Sequence, residues 1–210
     1  MPAALIDDAL ALVPGLPDRR VLLGLTGPPA AGKSTLAAAL VDGVNARLGE
    51  GTAVCVPMDG FHLACVQLRR LGLRDRKGAP ETFDVDGYLH LLRRLRAGGD
   101  RPVYAPDFDR ALEEPVAAGI VVPPGTRLVV TEGNYLADPG PGWSEVGDLL
   151  DQLWYVDAPP GTREERLLKR HTGGGRNEAE ARAFVQGSER ANAARVERTR
   201  AACSRVVNLA

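Results

Sequence analysis

Gly27-Pro28-Pro29-Ala30-Ala31-Gly32-Lys33-Ser34 decides how the rest of the chain is read. It fits the pattern GxxxxGK[ST] and lies between two recognisable elements. Before it, Val21 to Thr26 is a short apolar run of the kind found in a strand buried on both faces. After it, Leu36, Leu40 and Val44 recur at helical spacing, so Lys33 to Leu48 is predicted as a helix. Strand, glycine-rich turn and helix form the setting in which this pattern cradles a polyphosphate. Backbone N–H groups at the helix N-terminus face the anion, and the helix dipole favours it. Gly27 and Gly32 let the backbone turn and approach closely. Pro28 and Pro29 carry no N–H, so the donors must come from Ala30, Ala31, Gly32, Lys33, Ser34 and Thr35. Lys33 is expected to reach the β- and γ-phosphates, and the Ser34 hydroxyl to bind Mg²⁺.

Outward from this turn, strands alternate with helices. Further strands are predicted at Ala53 to Met58, Val116 to Val122, Arg127 to Thr131, Leu153 to Val156 and Arg205 to Leu209. Helices are predicted near the N-terminus and at Leu63 to Leu71, Val85 to Arg96, Thr162 to Arg170 and Glu178 to Arg200. Pro14 to Asp18 reads as a break after the first helix, and Arg74 to Thr82 as a loop. The alternation argues for a mostly parallel sheet in an α/β fold. The length, 210 residues, suits one domain with at most a small lid.

Composition narrows the function classes. The net charge of −1 gives no overall field to recruit nucleic acid or an anionic membrane. No apolar stretch approaches a membrane span, and Asp7 and Asp8 speak against a secretory signal. The three cysteines, Cys55, Cys65 and Cys203, have no CxxC spacing, so a reducing cytoplasmic setting is expected. Neither nucleic acid nor membrane is an expected partner, and a homodimer is compatible with the chain.

A phosphate cradle does not choose among nucleotide machines. No Asn-Lys-x-Asp sequence is present to read guanine. The strand Leu128 to Thr131 ends in Glu132-Gly133 rather than the Asp-Glu of motor ATPases. Asp59 follows the second strand, in Val56-Pro57-Met58-Asp59-Gly60-Phe61-His62. Ligands of open α/β sheets bind at the carboxyl ends of strands, so Lys33, Asp59 and Glu132 are placed to converge.

With these residues in view, the chain resembles the phosphoribulokinase/uridine kinase group of P-loop kinases, which includes pantothenate, nucleoside and sugar kinases. The resemblance rests on Gly27–Thr35, Met58–His62, Arg76–Asp84, Ala105–Arg110, Glu132-Gly133-Asn134-Tyr135 and Arg166–His171. It implies a three-layer P-loop NTPase sandwich with a mostly parallel central sheet. It also implies one kinase domain over 1–210, with a small helical lid at about 163–190. ATP and Mg²⁺ are the implied cofactors, and the implied partner is a small acceptor carrying a hydroxyl: a nucleoside, a sugar or a pantothenate-like alcohol.

The resemblance makes Asp59 the catalytic base and a metal contact; as a plain residue before a helix it would be an N-cap. Glu132 would hold Mg²⁺ or touch substrate. Arg110 would grip the acceptor or the transferring phosphate, or else pair with Asp107 or Asp109 at the surface. Uridine-kinase-like members carry a histidine in the segment before this arginine that is absent here, which speaks against assuming uridine. Lys77, Phe83 and Asp84 are implied acceptor-site residues, with His62, Phe61, Tyr104, Phe108 and Tyr135 as pocket lining. Arg166 and Arg170 share a helix face and would neutralise the transition state from the lid, with Arg163 as a weaker candidate. From Arg163 to Arg200 there are ten basic and six acidic residues, a bias that suits a lid over phosphates and equally an arginine-rich surface. Asn192 is implied as a nucleotide contact, and Cys65 stands where relatives carry polar residues. The rival class is a nucleotide-binding switch or ATPase regulator acting through a protein partner.

Overall fold

The computed structural model describes residues 3–13, 19–175 and 177–209. The predicted break at 14–18 lies outside the described residues. In chain order the elements are α1 (Ala3–Leu12), β1 (Val21–Thr26), α2 (Lys33–Leu48), β2 (Ala53–Cys55), α3 (Cys65–Arg70), α4 (Val85–Ala97), β3 (Val103–Asp109), β4 (Glu114–Val122), β5 (Leu128–Glu132), α5 (Ser144–Asp148), β6 (Gln152–Asp157), α6 (Pro160–Gly173), α7 (Glu178–Phe184), α8 (Arg190–Glu197) and β7 (Arg205–Asn208).

Five strands form a parallel sheet in the order β2-β5-β1-β6-β7. β1 is central and buried along its whole length, as its unbroken apolar run requires. Its side chains alternate between two cores. Leu23 and Leu25 pack toward Leu36, Leu40 and Val44 of α2 on one face. Leu22 packs toward Tyr88, Leu92 and Leu95 of α4 on the other. The result is the expected α/β sandwich of helix, sheet and helix layers. At the base of the sheet the buried Arg20 guanidinium donates to the carbonyls of Leu95, Pro123, Pro124 and Thr126, which ties α4 to the turn before β5.

Four boundaries differ from expectation. β2 stops at Cys55, because Pro57 has no N–H to extend the ladder, and Met58–Phe61 form one 3₁₀ turn instead. The strands flanking Pro123-Pro124 lie in different sheets: β5 joins the main sheet, whereas β4 pairs antiparallel with the unanticipated β3. The predicted 178–200 helix is interrupted. α7 passes through a π turn, Val185–Glu189, into α8, and a 3₁₀ turn follows at Arg200–Ala202. Arg74–Thr82 contains two short 3₁₀ turns rather than an open loop.

Candidate active site

The cradle forms at the carboxyl end of β1. Gly27 has φ +152°, and a Cβ there would lie 2.1 Å from the Val156 carbonyl oxygen. Only glycine lets the turn lie this close to β6. Gly32, at φ +99°, caps α2, and Ala30 also sits in the left-handed region at φ +60°. The Ala31 N–H bonds to the Pro28 carbonyl inside the loop. The first amides of α2 have no intrahelical acceptor and face outward from its end.

Lys33 is buried. Its ammonium donates to the carbonyl oxygens of Gly27 at 2.8 Å and Pro28 at 3.0 Å, and to Asn134 Oδ1 at 2.8 Å. Burial lowers its pKa to about 8, against the opposing pull of Glu132 and Asp59. The Ser34 hydroxyl donates to Glu132 Oε1 at 2.8 Å. Glu132 is buried too, and burial together with the nearby Asp59 charge raises its pKa.

Two glycines bring the strand ends together. A Cβ on Gly133 would fall 2.6 Å from Met58 Cβ, and one on Gly60 would fall 2.3 Å from the Pro106 carbonyl oxygen. The first approach sets Asp59 beside Glu132. The second lays the β3–β4 hairpin over Asp59, so that Arg110 Nη2 donates to Asp59 Oδ2 at 3.1 Å. Asp59 lies inside the 3₁₀ turn and caps no helix: that turn is capped by Pro57, and α3 by Ala64. The His62 ring bonds through Nδ1 to the Asp59 carbonyl at 2.8 Å, which places the proton on Nδ1. Burial lowers the pKa of His62, so the ring is neutral, and it packs between Phe83 and Phe108.

The remaining candidates divide into two sets. Lys77 reaches the same side as Arg110: its ammonium bonds to the Glu113 carbonyl, lies 3.3 Å from Cys65 Sγ and sits 5.0 Å from the Phe108 ring centre. Phe83, Tyr135 and Asp84 are held in the scaffold. Phe83 and Tyr135 are buried against Trp143, and the Tyr135 hydroxyl donates to the Gly78 carbonyl at 2.6 Å. Asp84 caps α4 by accepting from the Gly87 N–H at 3.0 Å. Replacing Asp84 by Ala is therefore expected to cost about 1 kcal/mol of stability in chemical denaturation. The same substitution should leave turnover within twofold of wild type, and a turnover loss without a stability loss would contradict the capping role. Phe61 packs against Tyr88, and Tyr104 lies exposed on the outer side of β3.

Among the arginines, Arg166 Nη1 donates to the Ala30 carbonyl at 3.3 Å, directly on the cradle. Arg170 lies close enough for its charge to lower the Lys33 pKa, and its Nη2 donates to Glu189 Oε1 at 3.0 Å. Arg163 is buried and bonds to the Ala158 carbonyl and Glu197, fixing α6 to α8. Asn192 Nδ2 meets the Gly78 carbonyl at 3.4 Å. A cleft of about 640 Å³ opens past the carboxyl ends of β6 and β7, lined by Tyr155, Asp157, Arg163, Arg200, Asn208 and Leu209 among others. It adjoins the cradle, since Leu209 lies 3.0 Å from where a Cβ on Gly32 would be.

No family model matches the chain. The chain is 40% identical over 157 residues to C227.14 of Schizosaccharomyces pombe, provisionally named a uridine kinase; the match covers 73% of this chain and 67% of that protein. It is 37% identical to a solved protein from Silicibacter sp. TM1040, provisionally named a fructose transport system kinase, with a TM-score of 0.87 over 98% of each chain. The chain belongs to the phosphoribulokinase/uridine kinase family of P-loop kinases. A pantothenate kinase of Limosilactobacillus reuteri is 31% identical over 150 residues, 71% of this chain and 48% of that protein. This P-loop kinase is thus a small-molecule phosphotransferase. No helix among its described residues is long and apolar enough to cross a membrane.

Two polar residues of the kinase escape sequence reading. Asn134 lies in a recognised segment, but nothing in its spacing announces a contact with Lys33. Glu189 is a buried carboxylate at the end of the π turn, and its Oε1 takes bonds from both Arg170 and His171 at 3.0 Å. Burial pushes its pKa up, but the His171 bond and the Arg170 charge outweigh this and hold it below the usual range. A carboxylate in the middle of a predicted helix gives no sign of such partners, though π turns recur at functional sites.

Proposed function

We propose that the protein transfers the γ-phosphate of ATP to a hydroxyl of a small metabolite, with Asp59 as the base. The observation that carries this reading is the convergence of Lys33, Ser34, Glu132 and Asp59 at adjoining strand ends. A phosphate cradle alone binds nucleotide; a half-exposed carboxylate beside it can take a proton from an alcohol. Arg110, Lys77, His62 and Phe108 surround Asp59 and form the acceptor side. The acceptor is a nucleoside, a sugar or a pantothenate-like alcohol. The cleft beyond β6 and β7 is the natural place for the nucleotide base, because it opens beside Gly32.

Ser34 and Glu132 fit Mg²⁺: a hydroxyl and a carboxylate already meet at 2.8 Å, and both offer the oxygen donors this hard cation takes. Among the described residues no cluster of three or more His, Cys, Asp or Glu could hold a metal by itself. When bound, the ion would help neutralise charge on the phosphates.

The protein's own groups do the rest. Lys33 and the α2 amides hold the phosphates in place. Asp59 accepts the acceptor proton as the hydroxyl attacks in line. Arg166 and Arg170 supply positive charge from α6, and the segment at about 163–190 acts as the lid of one kinase domain. Closure would exclude water and so prevent ATP hydrolysis. A cytoplasmic location suits this reading.

A pH profile follows. Lys33 must be charged to bind phosphate, and in the free enzyme it loses its proton as pH rises through about 8. kcat/KM for ATP should therefore fall above that pH, whereas kcat should hold to higher pH because bound phosphates favour the ammonium. A kcat/KM that stays flat to pH 10 would contradict it. The function itself is tested by incubating the protein with MgATP and a panel of nucleosides, sugars and pantothenate. Mass spectrometry should find one acceptor class 80 Da heavier; a panel with no phosphorylated product and only free phosphate would favour an ATPase.

A further inference from the structure

An ammonium has three N–H donors, and in this structure all three of Lys33 are committed. Two go to the carbonyls of Gly27 and Pro28, and the third goes to Asn134 Oδ1. None is left for a phosphate oxygen, so a nucleotide that engages Lys33 must displace a partner. The two carbonyls cannot easily yield. They belong to the backbone of the cradle, whose position is fixed where Gly27 abuts Val156 and where the Pro28 ring restricts φ. The third acceptor sits on a side chain that can rotate. Its own backbone is tied down separately, since the Thr26 hydroxyl donates to the Asn134 carbonyl at 3.1 Å. The amide oxygen is also the weaker competitor, being neutral where a phosphate oxygen is charged.

We propose that Asn134 is the exchangeable partner of Lys33: it holds the buried ammonium while the cradle is empty and gives it up to the nucleotide phosphate. Asn134 is thus a positioning residue that acts through Lys33. It keeps the lysine fully bonded between turnovers and reclaims it as the product nucleotide leaves. The groups around the ammonium are Glu132 from β5, Asp59 from the 3₁₀ turn after β2, Arg170 from α6 and Glu189 from the π turn. Asn134 is the side chain that hydrogen-bonds the ammonium, and its neutral amide can turn away without exposing a bare charge.

The inference rests on the reading of the cradle as a nucleotide site, and it makes an unusual demand. Removing Asn134 leaves a buried N–H unpaired only in the empty protein. The empty state alone is destabilised, so the variant must bind nucleotide more tightly. Asn134→Ala and the nearly isosteric Asn134→Leu are compared with wild type by isothermal calorimetry, using ATP, ADP and AMP without acceptor. Both variants are expected to bind ATP and ADP about tenfold more tightly, the size expected for a buried donor left unpaired. KM for ATP should fall in step. AMP, whose single phosphate does not reach Lys33, should bind as it does to wild type. Unchanged or weaker binding of ATP and ADP overturns the proposal, as does a uniform gain for all three nucleotides. A wild-type chain that binds none of them would overturn the nucleotide reading and this inference together. The Leu variant separates the lost hydrogen bond from the cavity left by Ala.

Discussion

Asp59→Asn is expected to lower the acceptor-dependent kcat by about 10²- to 10⁴-fold while leaving ATP affinity within a few-fold of wild type. The substitution is nearly isosteric. It keeps an oxygen for Arg110, and it leaves untouched the backbone carbonyl that accepts a hydrogen bond from His62 Nδ1. The fold should therefore survive. What is lost is the carboxylate that takes the acceptor proton, because an amide oxygen is too weak a base. Removal of the negative charge beside Glu132 should, if anything, help the binding of a polyphosphate. Steady-state kinetics with the acceptor that the panel finds phosphorylated separates the two parameters. A kcat loss of less than tenfold would remove Asp59 from the role of base, and a loss confined to the KM for ATP would make it a nucleotide ligand instead.

Gly27→Ala is expected to be the most damaging single substitution for the fold of the site. The new methyl would meet the Val156 carbonyl oxygen at 2.1 Å and its carbon at 3.1 Å, and φ +152° is itself unfavourable for alanine. The obstacle is backbone in the strand paired with β1, where Thr26 lies opposite Tyr155, so no side chain can step aside. A cost of about 3 kcal/mol or more is expected, with ATP binding lost. Gly161→Ala in α6 is the control. Nothing lies within 4 Å of its new methyl, and a helical Gly→Ala change should be neutral or stabilising. Denaturant unfolding of the two variants should differ in sign; a Gly27→Ala chain as stable as wild type would show that the cradle is looser than described.

The parts legible from sequence share a physical cause. β1 and α2 follow Val21–Thr26 and Lys33–Leu48 because a strand buried on both faces must be apolar throughout, and because Gly32 is the residue suited to the left-handed turn before the helix. Lys33, Ser34, Asp59 and Glu132 could be placed near one another because they end strands or follow them in one parallel sheet. β3 was hidden: Pro106 and the acidic residues at 107 and 109 mask its pattern, and the register shifts between Ala105 and Asp107. The π turn was hidden for a different reason. Its extra residue carries Glu189 inward to Arg170 and His171, a tertiary reward that local propensity does not register. Asp84 and Tyr135 carry the same lesson in reverse. Both lie in recognised segments, yet their bonds run to Gly87 and Gly78 and hold the frame around the acceptor side.

The central claim is that the cradle and Asp59 serve one reaction, and acceptor-stimulated ADP release tests it most directly. ADP production is followed at saturating MgATP with and without the acceptor, in wild type and in Asp59→Asn. The account predicts a stimulation of at least tenfold in wild type that disappears in the variant. Equal ADP production in all four conditions would mean that Asp59 is idle and that the cradle serves hydrolysis or a conformational switch.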